Sequence, residues 1–156
     1  MRFKNYEQLN AGHGNDPFTI NRYRQFFYYF SNNFEWILDV GCNTGRGGNI
    51  LKKLNANLKI IALDCLKDCL DRLPSGIYEQ KLCSYSTEIA LEDSSVDAVV
   101  AGEFIEHLYF DDVVQTLQEF YRVIKPQGRL LLTTPNPDYL RWKLLGGGVL
   151  GGPHVS

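Results

Sequence analysis

The residues of this chain best suited to chemistry fall in three short runs. Asp39 stands just before a turn with four glycines in eight positions, Gly41, Gly45, Gly47 and Gly48. Asp64 follows 19 residues after Gly45, and Glu103, Glu106 and His107 form the third group. A glycine turn between a strand and a helix presents backbone N–H groups and a helix N-terminus to a polar ligand. Glycine suits it because a Cβ would hold the ligand away and because such turns often need positive φ. A dinucleotide pyrophosphate is disfavoured, since Asn43 and Arg46 take the second and third glycine positions of G-x-G-x-x-G. No Gly-Lys-Ser/Thr follows, so the run is not a Walker A loop either. A carboxylate at Asp39 favours a cationic group instead. The plain alternative is a tight strand–helix turn that binds nothing.

These residues need particular elements to hold them. Trp36 to Val40 reads as a strand buried on both faces, and Asn49 to Leu54 as the helix after the turn. Leu58 to Leu63 reads as a second buried strand ending on Asp64. There the carboxylate can accept from both ribose hydroxyls of a nucleoside, or simply cap the next helix. A short helix over Lys67 to Leu73, strands over Ile77 to Cys83 and Val96 to Ala101, and a strand over Arg129 to Thr134 follow. Asp111 to Ile124 is expected as an amphipathic helix with Val113, Val114, Leu117, Phe120, Tyr121 and Ile124 inward, stopped by Lys125-Pro126. Ahead of them, Thr19 to Asn32 is expected as a helix with Tyr23, Phe26, Phe27 and Phe30 on one aromatic face. That face either packs on the sheet or covers a cofactor pocket. Strands alternating with helices imply a parallel, doubly wound α/β sheet with right-handed crossovers.

Two longer runs add to this: Val96-Asp97 through Glu106-His107-Leu108, and Ile124 through Asn136. With Leu38-Asp39-Val40-Gly41-Cys42-Asn43-Thr44-Gly45 and Asp64, they make residues 34 to 140 resemble the class I S-adenosylmethionine-dependent methyltransferases. The likeness is to the small-molecule group with a Glu-His-Leu signature. It implies a Rossmann-like, mostly parallel sheet of order 3-2-1-4-5, here lacking the family's last two strands. It implies S-adenosylmethionine as cofactor, with Asp39, Gly41, Cys42, Asn43, Gly45, Asp64, Cys65, Ser84, Gly102 and Glu103 around it, and no metal. His107 and Glu106 are the candidate catalytic groups, as a base or substrate contact; His107 could equally secure the loop. Tyr109, Asn136 and His154 are weaker candidates, and Arg22 or Arg24 could meet the methionine carboxylate. The acceptor would be a small molecule such as a lipid, quinone or sugar-derived metabolite. The chain departs from the family pattern at three points. Asn43 replaces a glycine but tolerates positive φ, and Gln127 replaces a turn glycine, expected to matter little. No acid follows the third strand to meet the adenine amino group, which leaves Ser84, Ser86 or backbone groups. The alternatives are a binding or scaffold protein that keeps the fold without turnover, and a nicotinamide oxidoreductase, which Asn43 and Arg46 disfavour.

Sixteen Lys+Arg against 18 Asp+Glu leave a net charge of −2 over 156 residues, which gives no nucleic-acid or anionic-membrane footprint. Cys42, Cys65, Cys69 and Cys83 form no C-x-x-C pair, consistent with a reduced, cytoplasmic protein. Cys65 and Cys69 share a helical face but lack partner ligands for a metal. No signal peptide or membrane span is legible. The expected organisation is an arm over 1–18, one domain over 19–145, and a glycine-rich tail over 146–156.

Overall fold

The computed structural model describes residues 17–135. The glycine-rich tail, Asn136 and His154 lie outside the described residues, as does nearly all of the 1–18 arm. Helix α1 (Thr19–Tyr28) precedes β1 (Trp36–Val40), α2 (Arg46–Leu54) and β2 (Lys59–Asp64). Then come α3 (Lys67–Asp71), β3 (Gln80–Cys83) and β4 (Val96–Gly102). A single 3-10 turn (Ile105–His107), α4 (Phe110–Val123) and β5 (Ile124–Thr133) complete the described chain.

The five strands form one sheet of order β3-β2-β1-β4-β5, and every pairing is parallel. Both faces of the central strands are covered, which is why their sequences are almost continuously apolar. Leu38 and Val40 of β1 join Ile61, Leu63, Val99, Phe120 and Val123 in one core. Ile37 joins Ile60, Ala98 and Val100 in the other, against Tyr23, Phe26, Leu51 and Leu58. The aromatic face of α1 therefore packs into this second core, as the simpler of its two readings held. Chain order reverses on either side of β1, so a crevice opens at the strands' C-terminal ends there.

Helix α4 is turned differently from its sequence pattern. The inward residues are Asp112, Thr116, Phe120 and Val123, while Val114, Leu117 and Tyr121 are exposed. The cause is the irregular connection between β3 and β4, whose backbone groups need partners. Arg122 donates to the carbonyls of Leu91 (2.7 Å) and Ile89 (2.8 Å), and Glu119 accepts from the Ile89 amide (2.8 Å). Thr116 and Ser86 share a buried hydroxyl pair at 2.8 Å. Satisfying that loop outweighs the burial of three apolar side chains.

Helix α4 ends before Pro126, but β5 begins at Ile124 rather than at Arg129, with a register irregularity opposite Val96 and Ala98. Gly128 is required there, because a Cβ would lie 2.7 Å from the Asp97 carbonyl. Gln127 sits at φ 68°, in the left-handed region, so its replacement of a glycine does matter. Gln127→Gly is expected to stabilise the protein by about 1 kcal/mol, seen as a raised urea midpoint, by removing the Cβ penalty.

Candidate functional site

The crevice at the C-terminal ends of β1, β2 and β4 is lined by Gly41, Asn43, Asp64, Cys65, Ser84, Glu103 and His107. Those residues were all named from the sequence. Leu63, Leu66, Cys69, Tyr85, Ser86, Phe104 and Leu108 complete the wall. The lining is thus largely apolar, and Asp64 and Glu103 are its carboxylates.

The turn after β1 is pinned to the tip of β2. Gly41 (φ 65°) and Asn43 (φ 46°) both take positive φ, as expected for the asparagine. The Gly41 amide donates to the Leu63 carbonyl at 2.9 Å. Asp64 accepts from the Asn43 amide (3.0 Å) on one oxygen and from the Leu66 amide (2.9 Å) on the other. A Cβ on Gly41 would lie 2.7 Å from the Phe104 ring, so the glycine also admits Phe104 to the crevice wall.

Besides the weaker candidates Tyr109, Arg22 and Arg24, five of the sequence candidates do not line the crevice. Asp39 lies fully buried on the α1 side of β1 and accepts from the hydroxyls of Tyr23 (2.6 Å) and Tyr78 (2.7 Å). Its carboxylate is thus engaged by two phenols behind the sheet. Cys42 packs with Ala62, Leu70 and Leu73, and burial pushes its thiol far up. Gly45 starts α2 at φ 75°, where a Cβ would meet Leu73 at 2.8 Å. Gly102 makes room for Arg22, since a Cβ there would lie 2.6 Å from the Arg22 Cδ. Glu106 lies beside the crevice, not on it, and neither of its oxygens has a hydrogen-bond partner among the described residues. Burial pushes the Glu106 carboxyl up to about 7, with the charge of Glu103 adding to it.

The tyrosine pair is the arrangement that the sequence reading missed. Gly47 and Gly48 leave the space through which the two rings reach Asp39: a Cβ would fall 2.0 Å from Tyr23 and 2.5 Å from Tyr78. Two consecutive glycines inside a helix were the only signal. Burial raises the Asp39 carboxyl to about 6, against the pull of Tyr23, Tyr78 and the Gly48 amide. The folded group thus keeps its proton where the unfolded one, near 3.8, has lost it. Its contribution is complete below about pH 4 and is lost as pH rises towards 6. Urea midpoints should show wild type losing about 3 kcal/mol relative to Asp39→Asn between pH 4 and pH 7.

Beyond β4, Glu103 has φ 54° and its amide donates to the Thr133 carbonyl at 3.0 Å. Left-handed backbone at a charged residue is a strain typical of ligand sites. Its side chain lies 3.4 Å from Arg22 of α1. His107 closes the 3-10 turn through its amide to the Phe104 carbonyl at 3.1 Å. Asp97, at the opposite end of β4, accepts from the Glu35 (2.9 Å) and Trp36 (2.8 Å) amides and from Lys125 (2.9 Å). Its place is in the framework.

A parallel sheet with its order reversing at a glycine turn, and an acid at the next strand tip, defines a Rossmann-like nucleotide-binding class of α/β protein. Within that class, residues 38–132 match the "Methyltransferase domain" family, and the chain belongs to this family of S-adenosylmethionine-dependent methyltransferases. It is 31% identical over 109 residues to malonyl-[acyl-carrier protein] O-methyltransferase 1 of Coxiella burnetii, covering 67% of this chain and 35% of that one. It is 33% identical over 106 residues to the tRNA N(3)-methylcytidine methyltransferase of Schizosaccharomyces pombe, covering 61% and 34%. The crystal structure of an S-adenosylmethionine-dependent methyltransferase from Archaeoglobus fulgidus superposes with TM-score 0.69 at 25% identity, over 84% of this chain and 58% of that one. The chain spans about a third of the length of these two curated relatives. Among the described residues no helix is long and apolar enough to cross a membrane.

Proposed function

We propose that the protein binds S-adenosylmethionine in this crevice and transfers its methyl group, by in-line displacement, to a small-molecule acceptor. The observation that supports it most is the pairing of Asp64 with the Gly41–Asn43 turn, in a crevice that Glu103 and apolar side chains also line. A ligand fitting that wall carries hydroxyls, a flat apolar base and a positively charged end, which S-adenosylmethionine does. Asp64 would hold the ribose hydroxyls, and Glu103 with Arg22 would hold the ammonium and carboxylate of the methionine part. Asp39, Cys42, Gly45 and Gly102 would act behind the wall by fixing the turn and the neighbouring side chains.

The cofactor, when bound, supplies a methyl group already activated by the sulfonium charge. The chain has then to align the acceptor and exclude water, which needs no metal. Phe104 and Leu108 dry the wall on the Glu103 side, and His107 stands on the same side within the crevice. With a hydroxyl acceptor, His107 is the group placed to take the proton. The malonyl-carrier relative favours a small acceptor, and the net charge of −2 disfavours the tRNA that the yeast relative's name indicates.

Transfer of labelled methyl to a panel of phenols, quinols, carboxylic acids and tRNA tests the reading. His107→Gln is expected to lower kcat on a hydroxyl acceptor by about 10²–10⁴-fold while leaving cofactor affinity within a few-fold. Cofactor binding without transfer to any acceptor would favour the non-catalytic alternative.

A further inference from the structure

We infer that Tyr23 is a positioning residue for the amino-acid end of the cofactor. Its bond to Asp39 sets how α1 lies on the sheet, and so where Arg22 holds Glu103. This rests on the cofactor site proposed above. Tyr23 is buried and does not line the crevice, so it acts through its neighbour in the helix.

Helix α1 has two buried residues, Tyr23 and Phe26. Apolar burial such as that of Phe26 is non-directional and leaves a helix free to roll or slide on a sheet. A hydrogen bond fixes both distance and angle. The Tyr23 hydroxyl donates to Asp39 at 2.6 Å, and both partners are buried. Asp39 stands on β1 two residues before Gly41, so this bond ties α1 to the strand that carries the crevice turn. Glycines on two sides admit the ring. A Cβ at Gly47 of α2 would collide with it, and one at Gly102 of β4 would come within 3.6 Å of its Cε2.

Arg22 is the preceding residue of the helix and reaches the end of β4 in the space that Gly102 leaves. There it lies 3.4 Å from Glu103, with most of both side chains covered. Such a pair is little screened by solvent, so each group is held by the other. Glu103 lines the crevice on a left-handed backbone. Its direction thus depends on Arg22, and that of Arg22 on α1. The adenosine half is independent of this chain of contacts, because Asp64 and its turn hang on β1 and β2. Loss of the Tyr23 hydroxyl should therefore be felt only by ligands that carry the amino-acid part.

Calorimetric titration of the full chain with S-adenosyl-L-homocysteine and with 5′-methylthioadenosine, which lacks the amino-acid part, tests this. Tyr23→Phe keeps the ring between the two glycines and removes only the hydroxyl. It should weaken S-adenosylhomocysteine by about tenfold or more, the scale of one charge-assisted hydrogen bond. Methylthioadenosine should stay within a few-fold of wild type. Arg22→Gln should show the same selective loss, and adding Tyr23→Phe to it should cost little more, since both act through one contact. Equal loss for the two ligands, no loss for either, or a Tyr23→Phe penalty that persists in full beside Arg22→Gln overturns the inference alone. Failure of either compound to bind the folded wild-type chain overturns the nucleoside site itself.

Discussion

Asp64→Ala is expected to weaken S-adenosylhomocysteine binding by at least about a hundredfold. Two hydrogen bonds from ribose hydroxyls to a charged acceptor are worth about 1.5–3 kcal/mol each, and each 1.4 kcal/mol is tenfold in affinity. The substitution also frees the Asn43 and Leu66 amides, so the turn loses its anchor along with the ligand. Asp97→Ala is the matched control. Its carboxylate holds the Glu35 and Trp36 amides and Lys125, which places its effect on stability, and affinity should stay within a few-fold. Asp97 also makes the fold acid-sensitive in the usual direction. Burial works against its ionised form, but Lys125 and the Trp36 and Glu35 amides prevail and lower its carboxyl below 3.8. That contribution is present above the unfolded value and is lost as pH falls through the folded one. Titration calorimetry on both variants, with circular dichroism to show that each is folded, separates the two roles.

Gly47→Ala should cost about 3 kcal/mol or more in urea unfolding, against the gain of about 1 kcal/mol that helix propensity alone predicts. The added methyl would stand 2.0 Å from Cζ of Tyr23 and 2.4 Å from its hydroxyl. A ring at the end of a side chain can usually move aside. Here it is buried among α1 and the sheet, and its hydroxyl holds Asp39 at 2.6 Å. Displacing it leaves a fully buried carboxylate with one phenol fewer, so steric strain and a lost charge-assisted bond add together. Tyr23→Ala removes the obstacle as well as the bond. The double variant Gly47→Ala/Tyr23→Ala should then be little worse than Tyr23→Ala alone, a strong departure from additivity.

The sheet was legible because strands buried on both faces must be almost continuously apolar, and β1, β2 and β4 are. The order 3-2-1-4-5 came from the resemblance and is the order found. Strand and helix ends moved by several residues where turns compete, most of all at β5, whose first half the sequence assigned to a loop around Pro126. The face of α4 was misread because the apolar spacing is regular while the controlling partners lie in the β3–β4 connection, far away in sequence.

The candidate site divides in the same way. Residues at the very ends of strands or in the turn, Gly41, Asn43, Asp64, Cys65 and Glu103, do reach the crevice. Asp39 sits one residue earlier, and in a strand covered on both sides nothing in the local pattern reveals which face it takes. Its partners Tyr23 and Tyr78 lie 16 and 39 residues away, so only the fold discloses them. Glycines gave the same ambiguity. A glycine kept for a ligand and one kept for a neighbouring side chain look alike in sequence: a Cβ would meet Tyr23 at Gly47, Tyr78 at Gly48, Leu73 at Gly45 and Arg22 at Gly102.

Titration of the intact chain with S-adenosylhomocysteine, with NAD as competitor, tests the central claim most directly. The account predicts one ligand per chain at micromolar affinity, undisturbed by NAD and lost in Asp64→Ala. A folded chain that takes up no S-adenosylhomocysteine, or binds it as tightly without the Asp64 carboxylate, would contradict it.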